Sequence, residues 1–341
     1  MVTIQDIANK AQVSAMTVSR VITGSAPEKV SAATRARVLK IAEELGYTPN
    51  IAARALRAKC SFLFGLVVSG IDHSFTASIV EGIQEVAMSK DYSCLLYITR
   101  GNTELEIRSL EALVAKQADG IIWVPNKQIP VCIPKLSQRV KIVQLLNKEV
   151  DHLPAVLVDQ VRGQYLATSY LTQLGHRYIG YVMKNDRHSR ERLIGHRQAL
   201  ADAGIYSSPV INLENDWSGQ VDAIRLFLTE NPQITAIAAS TDMLAWCAIQ
   251  AAGHLGRRIP DDLSITGFDN IELATQVIPA LTSVDQPKKN LGQVAMQVLT
   301  RYIQGEEVED VTMQTQLVVR NTTANNGSRS VALRPGPAAD R

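Results

Sequence analysis

The first sixty residues place apolar side chains at helical spacing, in short blocks separated by breakers. Ile4, Ile7, Ala8 and Ala11 recur on one helical face, and Thr3 with Asp6 fits a capping box that starts the helix. The stretch Lys10-Ala11-Gln12-Val13 breaks the period, and Ser14 can cap a second helix running through Ile22. Val18 and Val21 face inward there, which leaves Ala15, Met16, Thr17, Ser19 and Arg20 outside. Ser31 caps a third helix that packs through Val38, Ile41, Ala42 and Leu45. Gly46 ends it, and Tyr47-Thr48-Pro49 leads out extended. Two short helices joined by a tight turn, with small and polar groups on the second, predict a helix-turn-helix. Residues 50–59 are helix-forming in composition but too few for a stable isolated helix.

From residue 61 the pattern changes. Short apolar runs recur with helical stretches between them: Phe62–Val68, Cys94–Ile98, Gly120–Val124, Lys141–Leu146, Ala155–Val158, Ile179–Val182, Ala236–Ala239 and Leu263–Thr266. Runs apolar on both faces predict parallel strands covered by helices on both sides. Eight or more of them fit two doubly wound subdomains, with a ligand cleft beyond the carboxyl ends of the strands. The stretch Asn321–Arg341 is rich in Asn, Ser, Gly, Pro and Ala and reads as a disordered tail.

Charge sharpens the division. The 341 residues carry a net charge of only +2, which taken alone argues against a polyanionic partner. Residues 1–60, however, hold nine basic and four acidic side chains, so a basic module sits on a mildly acidic body. No apolar run approaches a membrane span and the amino terminus lacks a signal-peptide core, so a cytoplasmic, nucleoid-associated location is expected. Cys60, Cys94, Cys132 and Cys247 are widely spaced, as expected of buried reduced thiols rather than a disulfide framework or zinc knuckle. The chain contains no Walker loop, GxSxG, HExxH or post-strand GxGxxG, and His188 and His196 lack a convincing third ligand. An enzyme is not expected, nor is a cofactor or metal.

The combination Thr3-Ile4-Gln5-Asp6-Ile7-Ala8, Val13-Ser14, Thr17-Val18-Ser19-Arg20-Val21, Val30-Ser31, Thr34-Arg35 and Gly46-Tyr47-Thr48-Pro49-Asn50 resembles the LacI/GalR family of bacterial transcription regulators. The resemblance continues beyond residue 300. It implies an all-α helix-turn-helix head with a hinge helix, followed by an α/β periplasmic-binding-protein-like core of two doubly wound parallel-sheet subdomains. The expected boundaries are 1–49 for the head, 50–60 for the hinge helix and linker, and 61–320 for the core. Within the core, about 61–159 and 288–320 would form the N-subdomain and about 160–287 the C-subdomain, with 321–341 as the tail.

The same resemblance puts the second helix in the DNA major groove. Ala15 and Met16 would set the bases read, by apolar contact such as thymine methyls, and Ser14, Thr17, Ser19 and Arg20 would add phosphate or base contacts. Asn50, Ala53 and Leu56 belong to the implied hinge helix, which orders on operator DNA, with Leu56 as a minor-groove wedge. The loop 21–29 is about two residues longer than is usual in the family. In the core, Arg192, three residues before Gly195 in Arg-Leu-Ile-Gly-His-Arg-Gln-Ala, and Asp269 in Gly-Phe-Asp-Asn match positions that bind effector. Thr241, Trp217, Asn147, His73 and Phe75 match further cleft positions, and His176 in Leu-Gly-His-Arg reads as structural. No C-terminal zipper is present, so a homodimer on a pseudo-palindromic operator is expected. The expected function is a repressor of a carbohydrate-utilisation operon controlled by a small polar effector. A catabolite-type regulator responding to a phosphorylated carrier protein, a purine- or nucleoside-responsive repressor and a fused sugar enzyme remain the alternatives.

Overall fold

A computed structural model describes residues 2–23, 27–47, 60–71, 74–126, 129–214 and 219–328. The chain divides into two compact units, Met1–Phe62 and Leu63–Arg341.

In the first unit, helices α1 (Ile4–Ala11), α2 (Ala15–Thr23) and α3 (Ala32–Glu44) enclose a small apolar core of Ile7, Ala8, Ala11, Val18, Val21 and Val38. Each helix starts where a hydroxyl can satisfy otherwise orphaned backbone donors. The Thr3 side chain and Asp6 form the reciprocal box, Ser14 Oγ accepts from the Thr17 N–H at 3.1 Å, and Ser31 Oγ accepts from the Thr34 N–H at 3.2 Å. Gln12 takes a left-handed conformation (φ 53°), which makes the turn between α1 and α2 tight. Gly46, at φ 60°, closes α3 as its sequence position suggests.

The second unit contains two six-stranded sheets. The first has the order β11-β5-β4-β3-β1-β2, built from β1 (Leu63–Val68), β2 (Ser93–Ile98), β3 (Gly120–Trp123), β4 (Lys141–Leu145), β5 (Ala155–Val158) and β11 (Val311–Met313). The second has the order β12-β10-β9-β8-β6-β7, from β6 (Ile179–Lys184), β7 (Val210–Leu213), β8 (Ala236–Ala239), β9 (Ser264–Asp269), β10 (Thr282–Asp285) and β12 (Gln316–Val318). Among the described residues, every pairing is parallel except that of β10 with β12. The apolar runs 63–68, 120–123 and 236–239 are buried almost throughout, which is why they read as continuous rather than alternating. Three crossovers join the lobes: after β5, after β10, and between β11 and β12.

Two expected boundaries are corrected. The N-subdomain does not extend to residue 320, because β12 pairs antiparallel with β10 in the second sheet. Nor is Asn321–Arg341 a tail from its first residue. Thr322 is fully buried; its Oγ1 accepts from the Thr282 N–H at 2.9 Å and donates to the Ile265 carbonyl at 2.6 Å. His176 Nε2 lies 3.1 Å from the Ala324 carbonyl oxygen, clamping the same segment. Small polar residues resemble a disordered composition, yet here their hydroxyls and backbone fill sheet-edge hydrogen bonds. Residues 329–341 lie outside the described residues. Among the described residues, no helix is long and apolar enough to cross a membrane.

Candidate functional site

The head exposes the side chains its sequence assigns to the groove-reading helix. Met16 is 63% exposed on α2, and the half-buried Thr17 sits beside it with its Oγ1 2.9 Å from Ser14 Oγ. Ser19 and Arg20 are also half-buried. Ala15 departs from the expectation of a fully outer residue, because it packs partly against the head core. Asn50, Ala53 and Leu56 lie outside the described residues.

Between the lobes of the second unit lies a cleft of about 790 Å³. Its walls come from loops that follow the carboxyl ends of β1, β2, β3, β4, β6, β8 and β9, where doubly wound sheets bind ligands. Phe75, Val124, Pro125 and Leu146 give the first-lobe wall an apolar patch, flanked by the polar Asn126, Asn147 and Glu149. The second-lobe wall is polar, with Asp186, Arg187, His188, Ser189, Arg192, Thr241 and Asp269. Of the residues expected here, Phe75, Asn147, Arg192, Thr241 and Asp269 meet in this one cleft, whereas His73 and Trp217 lie outside the described residues.

Asp186 caps the Arg187–Asp202 helix through the Ser189 N–H at 2.7 Å, aiming that helix's amino terminus at the cleft. One turn further, Arg192 is held on three sides. Its Nε donates to Gln160 Oε1 at 2.8 Å, Nη1 donates to the Ser240 carbonyl, and Nη2 pairs with Asp269 Oδ1 at 3.2 Å. The guanidinium also stacks on the Phe268 ring, 3.7 Å from its centroid. Of five guanidinium donors, these three contacts leave two for a ligand. The Asp269 carboxyl is pushed up by burial, against the pull of Arg192 and Lys288. Asp242 is fully buried, and burial together with nearby Asp269 raises its carboxyl to about 8, so it carries a proton at neutral pH. Thr241 Oγ1 accepts from the Leu244 N–H at 3.2 Å, so it caps a helix while lining the cleft.

Two residues of the cleft carry no sequence signal of a binding role. His188 stands out in the sequence only as a candidate metal ligand. Burial and the neighbouring Arg192 lower its ring to about 4, so it is neutral, and its buried Nδ1 has no hydrogen-bond partner among the described residues. Asn126 faces the cleft from the first lobe, anchored by Nδ2 donating to the buried Glu106 Oε2 at 2.9 Å. No motif surrounds either residue. Asn147 donates from Nδ2 to the Pro125 carbonyl at 3.1 Å, but its buried Oδ1 is likewise unpartnered among the described residues. Backbone strain gathers at the same place: Leu146 (φ 67°) and Asp269 (φ 104°) both occupy conformations that side chains avoid. At the cleft mouth, Arg187 pairs with Glu149 of the opposite lobe. No group of three or more His, Cys, Asp or Glu could hold a metal ion among the described residues.

Residues 3–50 match the model of the bacterial regulatory proteins, lacI family, and residues 168–323 match a periplasmic binding protein-like domain. Catabolite control protein A of Priestia megaterium is 33% identical over 320 residues, covering 92% of this chain and 96% of that protein. The ribose operon repressor of Haemophilus influenzae is 32% identical over 335 residues, covering 94% and 98%. Among solved structures, the Lac repressor dimer bound to operator and an anti-inducer superposes with a TM-score of 0.81 at 28% identity, covering 95% of this chain and 99% of that one. With relatives matching over nearly its whole length, and with the fold they share, the chain belongs to the LacI family of DNA-binding transcriptional regulators.

Proposed function

We propose that this regulator is a homodimeric repressor of a carbohydrate-utilisation operon, released from or fixed to a pseudo-palindromic operator by a small polar effector in the interlobe cleft. One observation carries the effector reading. Asn147 Oδ1 from the first lobe and His188 Nδ1 from the second are both buried and unpartnered among the described residues, so the cleft is built for a ligand that touches both walls. An apolar patch bordered by polar groups on both walls suits a sugar, which presents a C–H face and a rim of hydroxyls. Arg192 and Asp269 supply a donor fork and an acceptor for vicinal hydroxyls. Ala15 and Met16 read bases, and Ser14, Thr17, Ser19 and Arg20 contact phosphate or base edges. Asn50, Ala53 and Leu56 form the minor-groove hinge, which places the protein on the nucleoid.

A thermal-shift panel of sugars, polyols, sugar acids and purine nucleosides tests the effector reading, since a ligand of the native state raises its melting temperature. At least one sugar is expected to stabilise the wild type and to lose that effect in Arg192→Met, while operator affinity stays near normal. A shift confined to purines, or a response only to a phosphorylated carrier protein, contradicts the sugar reading. For the head, Leu56→Ala is expected to weaken specific operator binding far more than non-specific binding; equal losses contradict the wedge.

A further inference from the structure

Arg192 and Asp269 are joined to each other twice, once directly and once through two glutamines. Gln160, 4% exposed, opens the Gln160–Gln173 helix just past the first crossover. Gln286, 1% exposed, lies in the second crossover, between β10 and the Lys288–Ile303 helix. Arg192 Nε donates to Gln160 Oε1 at 2.8 Å, and Gln160 Nε2 donates to Gln286 Oε1 at 3.4 Å. Gln286 Nε2 then donates to Asp269 Oδ1 at 2.7 Å, and that oxygen pairs with Arg192 Nη2 at 3.2 Å. The four side chains close a ring.

Its polarity is fixed by chemistry. A guanidinium only donates and a carboxylate only accepts, so each amide must face its oxygen one way and its nitrogen the other. Turning either amide over breaks both of its ring bonds and strands buried polar groups, which is costly. Lys288 adds a strap: its Nζ donates to the carbonyl oxygens of Asp269 and Asn270 at 2.8 and 3.0 Å and to Asp285 Oδ1 at 3.0 Å. The start of a first-lobe helix is thereby tied to the end of a second-lobe strand. Neither glutamine lines the cleft.

We propose that Gln160 and Gln286 are positioning residues that couple the cleft to the crossover segments between the two lobes. A ligand that draws on Arg192 or Asp269 reorients the amides and, through them, both crossover segments. The coupling rests on the effector reading of the cleft, whereas the ring itself exists without a ligand. This makes the two separately testable.

Amide hydrogen exchange of the full-length protein, comparing wild type with Gln160→Leu and Gln286→Leu, tests the ring in the absence of sugar. Each substitution is expected to speed exchange at least about threefold in both crossover segments, 158–163 and 284–290, including the one that does not carry it. Acceleration confined to the substituted segment overturns the ring as a coupling element. Should Gln286→Leu fail to fold, Gln286→Glu takes its place. It keeps the oxygen facing Gln160 but removes the donor facing Asp269, and unchanged exchange at 158–163 then overturns the proposal.

A second arm adds D-ribose or cellobiose, as monosaccharide and disaccharide probes. The sugar that binds is expected to slow exchange at both crossovers of the wild type. In Gln160→Leu its affinity should stay within about fivefold while the slowing at 284–290 disappears. Affinity and slowing lost together would mark Gln160 as merely structural and overturn the proposal. If neither sugar protects the wild-type cleft, the effector reading fails for these sugars, and the sugar-free arm still decides the ring.

Discussion

Gly195 is the residue through which one substitution should reach both the stability of the second lobe and its ligand site. It lies in the Arg187–Asp202 helix where that helix crosses Gln160–Gln173. A Cβ added to it would fall 2.9 Å from the Tyr165 nitrogen and the Val161 carbonyl carbon, and closer still to the Val161 carbonyl oxygen. These are backbone atoms of a packed helix and cannot rotate away. Restoring ordinary contact requires the two helices to part by on the order of 1 Å. Overpacking of this kind costs roughly 1–3 kcal/mol, and the rigid neighbours argue for the upper end. Alanine returns about 1 kcal/mol of helix propensity. The net expectation for Gly195→Ala is a loss of about 2 kcal/mol, or a fall of roughly 4–8 °C in melting temperature. Arg192 sits one turn away on the same helix, so the shift also stretches its contact with Asp269. If the displaced Arg192 loses one charge-assisted bond to a sugar, at about 1.5–3 kcal/mol, sugar affinity falls by roughly 10- to 150-fold. Gly253→Ala is the internal reference: it too is helical, and nothing lies within 4 Å of where its added methyl would sit. It should leave the melting temperature unchanged or raise it. Thermal and urea unfolding of the two variants, with sugar titration, would refute the reasoning if Gly195→Ala were as stable as Gly253→Ala.

Buried rings and carboxyls shape the pH dependence in opposite senses. Burial lowers His188 to about 4 and His196 to about 3. The unfolded chain takes up protons near pH 6.5 that the folded rings refuse, so their contribution is full above pH 6.5 and falls on acidification by about 1.4 kcal/mol per pH unit per ring. His196→Gln should therefore lessen the acid loss of stability measured by urea unfolding between pH 6.5 and 4; an unchanged slope would sink this account. Asp242, held protonated up to about 8, is most favourable at acidic pH, and its contribution is lost as pH rises from about 4 through 8. Relative to wild type, Asp242→Asn should consequently look best at pH 8 and about 4 kcal/mol worse at pH 5; a pH-independent difference would refute the protonated state. In the head, Met16→Ala should change the operator sequence recovered by binding-site selection while leaving the salt slope of binding intact, whereas Arg20→Ala should lower that slope by about 1. An unchanged selected sequence would remove Met16 from base readout.

Local signals are legible in the sequence, and signals that depend on closure of the fold are not. The three head helices follow from caps and apolar spacing within a dozen residues, so Thr3, Ser14, Ser31 and Gly46 sit where the sequence places them. Each of the eight apolar runs overlaps a strand, and all but the accessible edge strand Ser93–Ile98 are largely buried, as strands covered on both faces must be apolar along their length. The missed strands break that rule. Thr282-Ser283-Val284-Asp285 is buried yet mostly polar, since Thr322, Asp242 and Asn270 satisfy its hydroxyls and backbone from distant parts of the chain. The same holds for the cleft. Arg192 and Asp269 lie in recognisable local contexts, but Gln160 and Gln286 acquire a role only when residues 126 apart in sequence meet. A glutamine carries no charge or periodic signal that would mark it beforehand.

The two-sided cleft also limits how strongly an effector can act. A ligand shifts the equilibrium between lobe arrangements only by the difference in its affinity for them. On the proposed reading, contacts with Arg192 and Asp269 lie within one lobe and reach the crossovers only through the glutamine ring, so they do not themselves gauge the spacing of the walls. Asn147 and His188 differ in this respect, because they face the ligand from opposite lobes and can be satisfied together only when the walls are correctly spaced. Two such hydrogen bonds, at about 1–1.5 kcal/mol each, supply roughly 2–3 kcal/mol of differential binding. That corresponds to a change of about 30- to 150-fold in operator affinity, within the usual range of allosteric coupling. A sugar able to reach Arg192 but not Asn147 should therefore occupy the cleft and shift operator affinity less than one that reaches both walls.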